Sequence, residues 1–184
     1  MKRNFFTALF VISTLTMIAQ TKKYLGLELA GSNGLVGVSY DSRFDKNDKF
    51  GYKIRLGYGY EYHDGARHWY LSPIKAFFPE DEKINNSITL PISVYYLLGK
   101  NKNFLETGLG ICTFYADYRN RNEKGLGYFS FARVAYRHES VKNKLSFSAG
   151  LDLPFYTPGS GLGYSLALVP SISIAYRLFG ETNN

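Results

Sequence analysis

With 22 Lys and Arg against 15 Asp and Glu, this 184-residue chain carries a formal charge of +7, and its length allows one domain or a little less than two. The 16 Tyr, 14 Phe and 18 Gly favour β structure with tight spots. A lone Cys112 excludes an internal disulfide, and the absence of a basic cluster or motif argues against a nucleic-acid reader.

The N-terminus reads as a secretory signal peptide. Lys2 and Arg3 form the charged region, residues 5–18 the apolar region, and Ala19-Gln20 a cleavage point. Thr21, Lys22 and Lys23 end the apolar run before the roughly 20 residues that a membrane helix needs. The expected division is therefore a signal peptide over 1–19 and a single domain over 20–184. Losing Lys2 and Arg3 would lower the charge from +7 to +5. No second long apolar run follows, so any crossing of a membrane would have to be made by strands.

The first strand is predicted over 24–30, with Leu25, Leu27 and Leu29 opposite Gly26, Glu28 and Ala30. Gly31-Ser32-Asn33-Gly34 carries the Asn-Gly of a tight hairpin. The second strand, 35–44, shows Val36, Val38, Tyr40 and Phe44 on one face and Ser39, Asp41 and Arg43 on the other. The third, 50–62, alternates most cleanly. Tyr52, Ile54, Leu56, Tyr58, Tyr60 and Tyr62 oppose Lys53, Arg55, Gly57, Gly59 and Glu61. A period of two over this length suits a strand crossing a bilayer at a tilt. Residues 63–86 form the one long connection, where Pro73 and Pro79 are expected to break regular structure.

The fourth strand, 87–98, holds Pro91, which costs a ladder hydrogen bond and marks an edge or bulge. The fifth, 104–115, sets Leu105, Leu109, Ile111 and Tyr115 against Glu106, Gly108, Gly110, Cys112 and Phe114. In the sixth, 126–137, Phe129 and Phe131 fall on the face that carries Arg133 and Arg137. The seventh, 145–153, faces Leu145, Phe147, Leu151 and Leu153 away from Asp152. A glycine-rich stretch leads to the eighth, 166–179, where Ile172, Ile174, Tyr176 and Leu178 oppose Arg177.

Eight strands put both termini on one side and let the first pair with the last, leaving no open edge. The turns holding Lys46-Asn47, Lys100-Asn101-Lys102 and Lys142-Asn143-Lys144 all fall on that same side, opposite the long connection. Short periplasmic turns with a longer external loop is the pattern of outer-membrane barrels. A secreted lipocalin-like carrier of a small apolar ligand would show the same alternation with its faces exchanged. Two features favour the membrane form. Tyrosines gather at two levels of the apolar face, with Tyr58, Tyr60, Tyr62, Tyr115 and Tyr128 at one and Tyr52, Tyr96, Tyr136 and Tyr176, closed by Phe179, at the other. The polar face is nearly balanced: Glu28, Asp41, Glu61, Glu106 and Asp152 against Arg43, Lys53, Arg55, Arg133, Arg137 and Arg177. An enclosed lumen requires such pairing, because unpaired buried charge is costly.

Leu90-Pro91-Ile92-Ser93-Val94-Tyr95-Tyr96-Leu97-Leu98-Gly99-Lys100, the segment Phe104-Leu105-Glu106-Thr107-Gly108-Leu109-Gly110, and the closing Pro170-Ser171-Ile172-Ser173-Ile174-Ala175-Tyr176-Arg177-Leu178-Phe179 resemble the outer-membrane β-barrel protein family of Gram-negative bacteria. The resemblance implies an all-β, eight-stranded antiparallel transmembrane barrel of the OmpA-like and OmpX-like size, porin-like in form. It also implies a place in the cell outer membrane, surrounded by its lipid, and a last strand read by the barrel-assembly machinery through Tyr176 and Phe179. Residues 180–184 trail beyond that signal.

Some small barrels modify lipid A, which needs a nucleophile within reach of a histidine that an acid orients. His138 beside Glu139 and Ser140 reads instead as a solvated turn past the end of its strand. His63 and His68, with Asp64 between them, have no fixed geometry in a loop. Together with Trp69, Tyr70, Phe77 and Phe78 they read as a loop surface for an extracellular ligand or protein. Gly159, Gly161 and Gly163 precede a strand rather than a helix, so they make no phosphate cradle. The expectation is a structural or surface-interaction barrel that is not an enzyme, with no cofactor, metal or nucleic acid and a lumen filled by side chains.

Overall fold

The computed structural model describes residues 21–44, 49–60, 62–64, 67–69, 84–118, 123–140, 142–156 and 168–179. The strands are β1 (Lys23–Ala30), β2 (Val36–Arg43), β3 (Phe50–Tyr60), β4 (Tyr62–Asp64), β5 (Arg67–Trp69), β6 (Ile84–Lys100), β7 (Asn103–Tyr118), β8 (Glu123–Glu139), β9 (Leu145–Tyr156) and β10 (Val169–Phe179). Eight of them close into an antiparallel barrel in the order β1-β10-β9-β8-β7-β6-β3-β2. The seam pairs the first strand with the last, with Leu27 opposite Ile174 and Leu29 opposite Ile172. The signal segment, the glycine-rich stretch 157–163 and the tail 180–184 lie outside the described residues.

Alternation sets the two faces. Leu27, Leu109 and Ile172 are 57, 59 and 63% exposed on the outside, whereas Glu28, Arg55 and Arg133 are 0–2% exposed within. This overturns the lipocalin-like alternative, which needs the aliphatic set inside. The polar groups of this barrel are its core, and its aliphatic wall must meet a hydrocarbon. Tyr58, Tyr60, Tyr115 and Tyr128 stand exposed towards the end with the longer connections. At the other end Tyr96, Tyr136, Tyr176 and Phe179 are exposed, and Phe44 and Phe50 join them, stacked at 5.0 Å.

Four local expectations change. The Gly31–Gly34 turn is not a tight external hairpin: Gly31–Asn33 forms a buried 3-10 turn. Pro91 sits in a mid-wall strand of a barrel without edges. It still pairs with Cys112 of β7, while the ladder to β3 skips from Ile54↔Ile92 to Gly57↔Thr89. The missing N–H is accommodated by interrupting one ladder. The long connection contains regular structure, since β4 and β5 pair as a small antiparallel ribbon. Finally, β8 continues to Glu139, so His138 and Glu139 belong to the wall rather than to a turn.

The wall is uneven. β1 and β2 have 8 residues each, but β6, β7 and β8 have 17, 16 and 17. At about 3.3 Å per residue, the β6–β8 side stands well above the β1–β2 side.

Candidate functional site

The lumen is where the charged residues meet. At its centre is Glu106, whose carboxylate lies 3.2 Å from Lys53 Nζ, 3.1 Å from Arg133 Nε and 3.0 Å from Arg137 Nη1. Around it the network has two ends. Towards the short turns, Arg137 Nη2 is 2.6 Å from Asp41 and its Nε 3.0 Å from Glu139, and Arg43 also pairs with Glu139. The Tyr24 hydroxyl donates to Glu139 at 3.0 Å, and the Tyr95 hydroxyl donates to Asp41. The guanidinium of Arg137 lies 5.1 Å from the Tyr24 ring centroid and 5.7 Å from that of Tyr95.

Towards the longer connections, Arg133 Nη1 is 2.9 Å from Glu28 and 3.0 Å from Asp152. Arg55 stands 3.5 Å from Asp152 and 3.7 Å from Glu28. Five carboxylates thus meet five cations among the described residues. Arg177, on the same face, is buried but within ion-pair distance of none of the described carboxylates. The side chain of Glu61 lies outside the described residues. Glu139 is the member that the sequence reading did not include. A run of Arg137-His138-Glu139-Ser140 has turn-like composition, and only strand alternation continued for two more residues would have pointed Glu139 inward.

The inward turn closes the network from above. Asp152 accepts from the Ser32 backbone N–H at 2.7 Å, and Arg55 Nη1 donates to Ser32 Oγ at 2.7 Å. Thr89 Oγ1 donates to Asn33 O at 2.8 Å, and the Cys112 thiol to Ser32 O at 3.5 Å. This path asks for unusual backbone: φ is +70° at Gly31, +90° at Gly34 and 58° at Ala30, where a side chain pays for a region that glycine enters freely. It also needs Gly57, because a Cβ there would stand 2.0 Å from Asn33 O. Beside the turn an aromatic plug of Phe114, Phe129 and Phe131, with Cys112 and Ala116, fills the lumen. Phe129 lies 6.1 and 6.2 Å from its two neighbouring rings, and Arg55 sits 5.4 Å from the Phe131 ring centroid.

Outside the lumen, the β4–β5 ribbon places His63 opposite His68 and Tyr62 opposite Trp69. It sets Asp64 opposite Arg67. The structure thus gives the histidine pair a register that the sequence did not. Tyr70, Phe77 and Phe78 lie outside the described residues. His138 Nδ1 is 2.7 Å from Asn103 Oδ1, which also accepts from the Tyr136 hydroxyl at 2.8 Å. Tyr176 and Phe179 both face outward on the last strand.

No family model matches the chain, and no curated protein matches it. Among solved structures, it is similar to the N-terminal β-barrel domain of Pseudomonas aeruginosa OprF, at 13% identity and a TM-score of 0.49 over 86% of this chain and 99% of that one. A major outer membrane protein from Thermus thermophilus follows at 15% identity and 0.46, covering 85% and 98%. Ail, the attachment invasion locus protein of Yersinia pestis in complex with the heparin analogue sucrose octasulfate, is similar at 9% identity and 0.44, covering 86% and 99%. At such scores the likeness adds nothing to what the strand register shows. On its own register, aliphatic exterior and paired polar lumen, the chain is a small, eight-stranded transmembrane β-barrel of the outer-membrane type.

Proposed function

We propose that the protein serves in the outer membrane as a structural or surface-interaction barrel, not as an enzyme or a large pore. The observation that carries this is the filled lumen: a paired charge network, an inward turn and an aromatic plug occupy its height. Eight strands enclose little more than the volume that side chains fill. What remains for contact with the outside is the taller β6–β8 wall and the long connection that carries the β4–β5 ribbon. Loops raised on a rigid scaffold are common recognition surfaces, and an extracellular ligand or protein is the partner that this arrangement suits. His138 is engaged by Asn103 at 2.7 Å rather than by a nucleophile, which supports a non-catalytic reading. Tyr176 and Phe179 on the last strand are the residues offered to the assembly machinery.

The test is fractionation of cells expressing the full chain, with heat-modifiable migration of the membrane fraction on a gel. Recovery in the outer membrane as a compact, heat-shifted band is the expected result. Recovery in soluble fractions would overturn the reading.

A further inference from the structure

The charge is divided between the two ends of the barrel. Apart from residues 1–20, the segments at the short-turn end (21–23, 44–49, 99–103, 140–144 and 180–184) hold eight lysines against three acids. The connections at the opposite end (31–35, 61–86, 117–124 and 157–168) hold six bases against seven acids. With the lumen nearly neutral within itself, the surplus positive charge sits on one rim. Lys49, Lys100, Lys102, Lys142 and Lys144 are exposed there, and Lys23 lies half-buried with its Nζ 5.7 Å from the Phe179 ring centroid.

The position of this collar relative to the aromatic belt sets the kind of partner it meets. Phe44 and Phe50 flank the connection that holds Lys49, and both rings are exposed on the lipid side. Lys100 comes four residues after the exposed Tyr96, about 10 Å along the axis at ordinary strand rise and tilt. Aromatic belts lie at headgroup level, and lysines can extend their stems along the apolar surface to keep the ammonium at the interface. Ammonium groups just beyond the belt therefore stand in the phosphate layer of the leaflet on the short-turn side. Each lysine near a membrane surface contributes attraction to anionic lipid that fades within a Debye length.

We infer that this lysine collar selects anionic phospholipid headgroups on the short-turn side of the membrane, so that the barrel carries its own shell of acidic lipid. The inference rests on the membrane-barrel reading above. Its test is native mass spectrometry of the full chain released from nanodiscs of equal phosphatidylglycerol and phosphatidylcholine. The wild type should retain phosphatidylglycerol several-fold over phosphatidylcholine. The combined Lys100→Gln, Lys102→Gln, Lys142→Gln and Lys144→Gln variant should retain the two alike, while Lys124→Gln at the other rim keeps the preference. If the combined variant does not fold, the wild type is incorporated at about 1 M salt, where the screening length is roughly 3 Å and the preference should vanish. Equal retention by the wild type overturns the inference, as does a preference that survives the substitutions or the salt. Lysine-dependent cosedimentation with cell-wall sacculi and no lipid preference would also overturn it, in favour of a polymer partner. Failure of the wild type to enter a bilayer at all would instead remove the membrane-barrel reading.

Discussion

Arg55 reaches across the lumen to donate to Ser32 Oγ at 2.7 Å, so a wall residue of β3 holds down a turn that leaves β1. The same guanidinium is 3.5 Å from Asp152, which accepts the Ser32 N–H at 2.7 Å. Turn, cation and carboxylate form one unit, and none can be removed without exposing another.

Arg133→Leu is expected to be the most damaging single change in the network. It leaves Glu28, Glu106 and Asp152 short of a partner at 2.9–3.1 Å. Breaking a buried pair by removing one side costs roughly 3–5 kcal/mol. Arg55→Leu should cost less, since its ion-pair distances are 3.5 and 3.7 Å. Urea unfolding of the folded barrel in detergent measures both. Changes within about 0.5 kcal/mol, as at an ordinary surface site, would contradict the closed network.

Gly57→Ala tests the inward turn. The added methyl would stand 2.0 Å from Asn33 O and 2.5 Å from Thr89 Oγ1, so the turn must withdraw. Planar-bilayer recording should show no large, stable steps for the wild type and a small conductance for Gly57→Ala. Large steps in the wild type would contradict a filled lumen, and a silent variant of unchanged stability would contradict a plug held by this close approach.

Leu56→Arg places a charge on the outer face, where Leu56 is 52% exposed. Near the bilayer midplane such a change costs roughly 2–4 kcal/mol. Unfolding in lipid vesicles should register that loss. A neutral result would mean that this face does not meet hydrocarbon.

Protease added to intact cells should cut first in the long connection between β3 and β6. Cleavage at the Asn101-Lys102 turn, with the long connection spared, would mean that the barrel is inserted upside down.

The clean alternation of β3 made its faces legible, because one buried face and one apolar face fix a period of two. Its register with β2 keeps Lys53 and Arg55 turned inward together, opposite Asp41 and Ser39. Phe129 and Phe131, the least regular stretch of the pattern, are core residues, as their place on the face of Arg133 and Arg137 implied. The turn at Ser32 and Asn33 was illegible for a different reason. Asn-Gly is a strong local signal for a hairpin, but the path taken depends on room at Gly57 and donors at Arg55 and Thr89, all distant in sequence. Glu139 was lost to composition, since its polar neighbours look like a turn until β9 is seen to pair with it through Ser146.

Closure between Leu27 and Ile174 also governs how the molecule can be made. The first strand waits for its partner until β10 has been synthesised. Until that moment two strands have unpaired backbone edges, a template for aggregation, and the contact that ends the danger is the most distant in sequence, hence slow to form. A defect in the eleven residues of β10 would therefore be felt in the eight of β1.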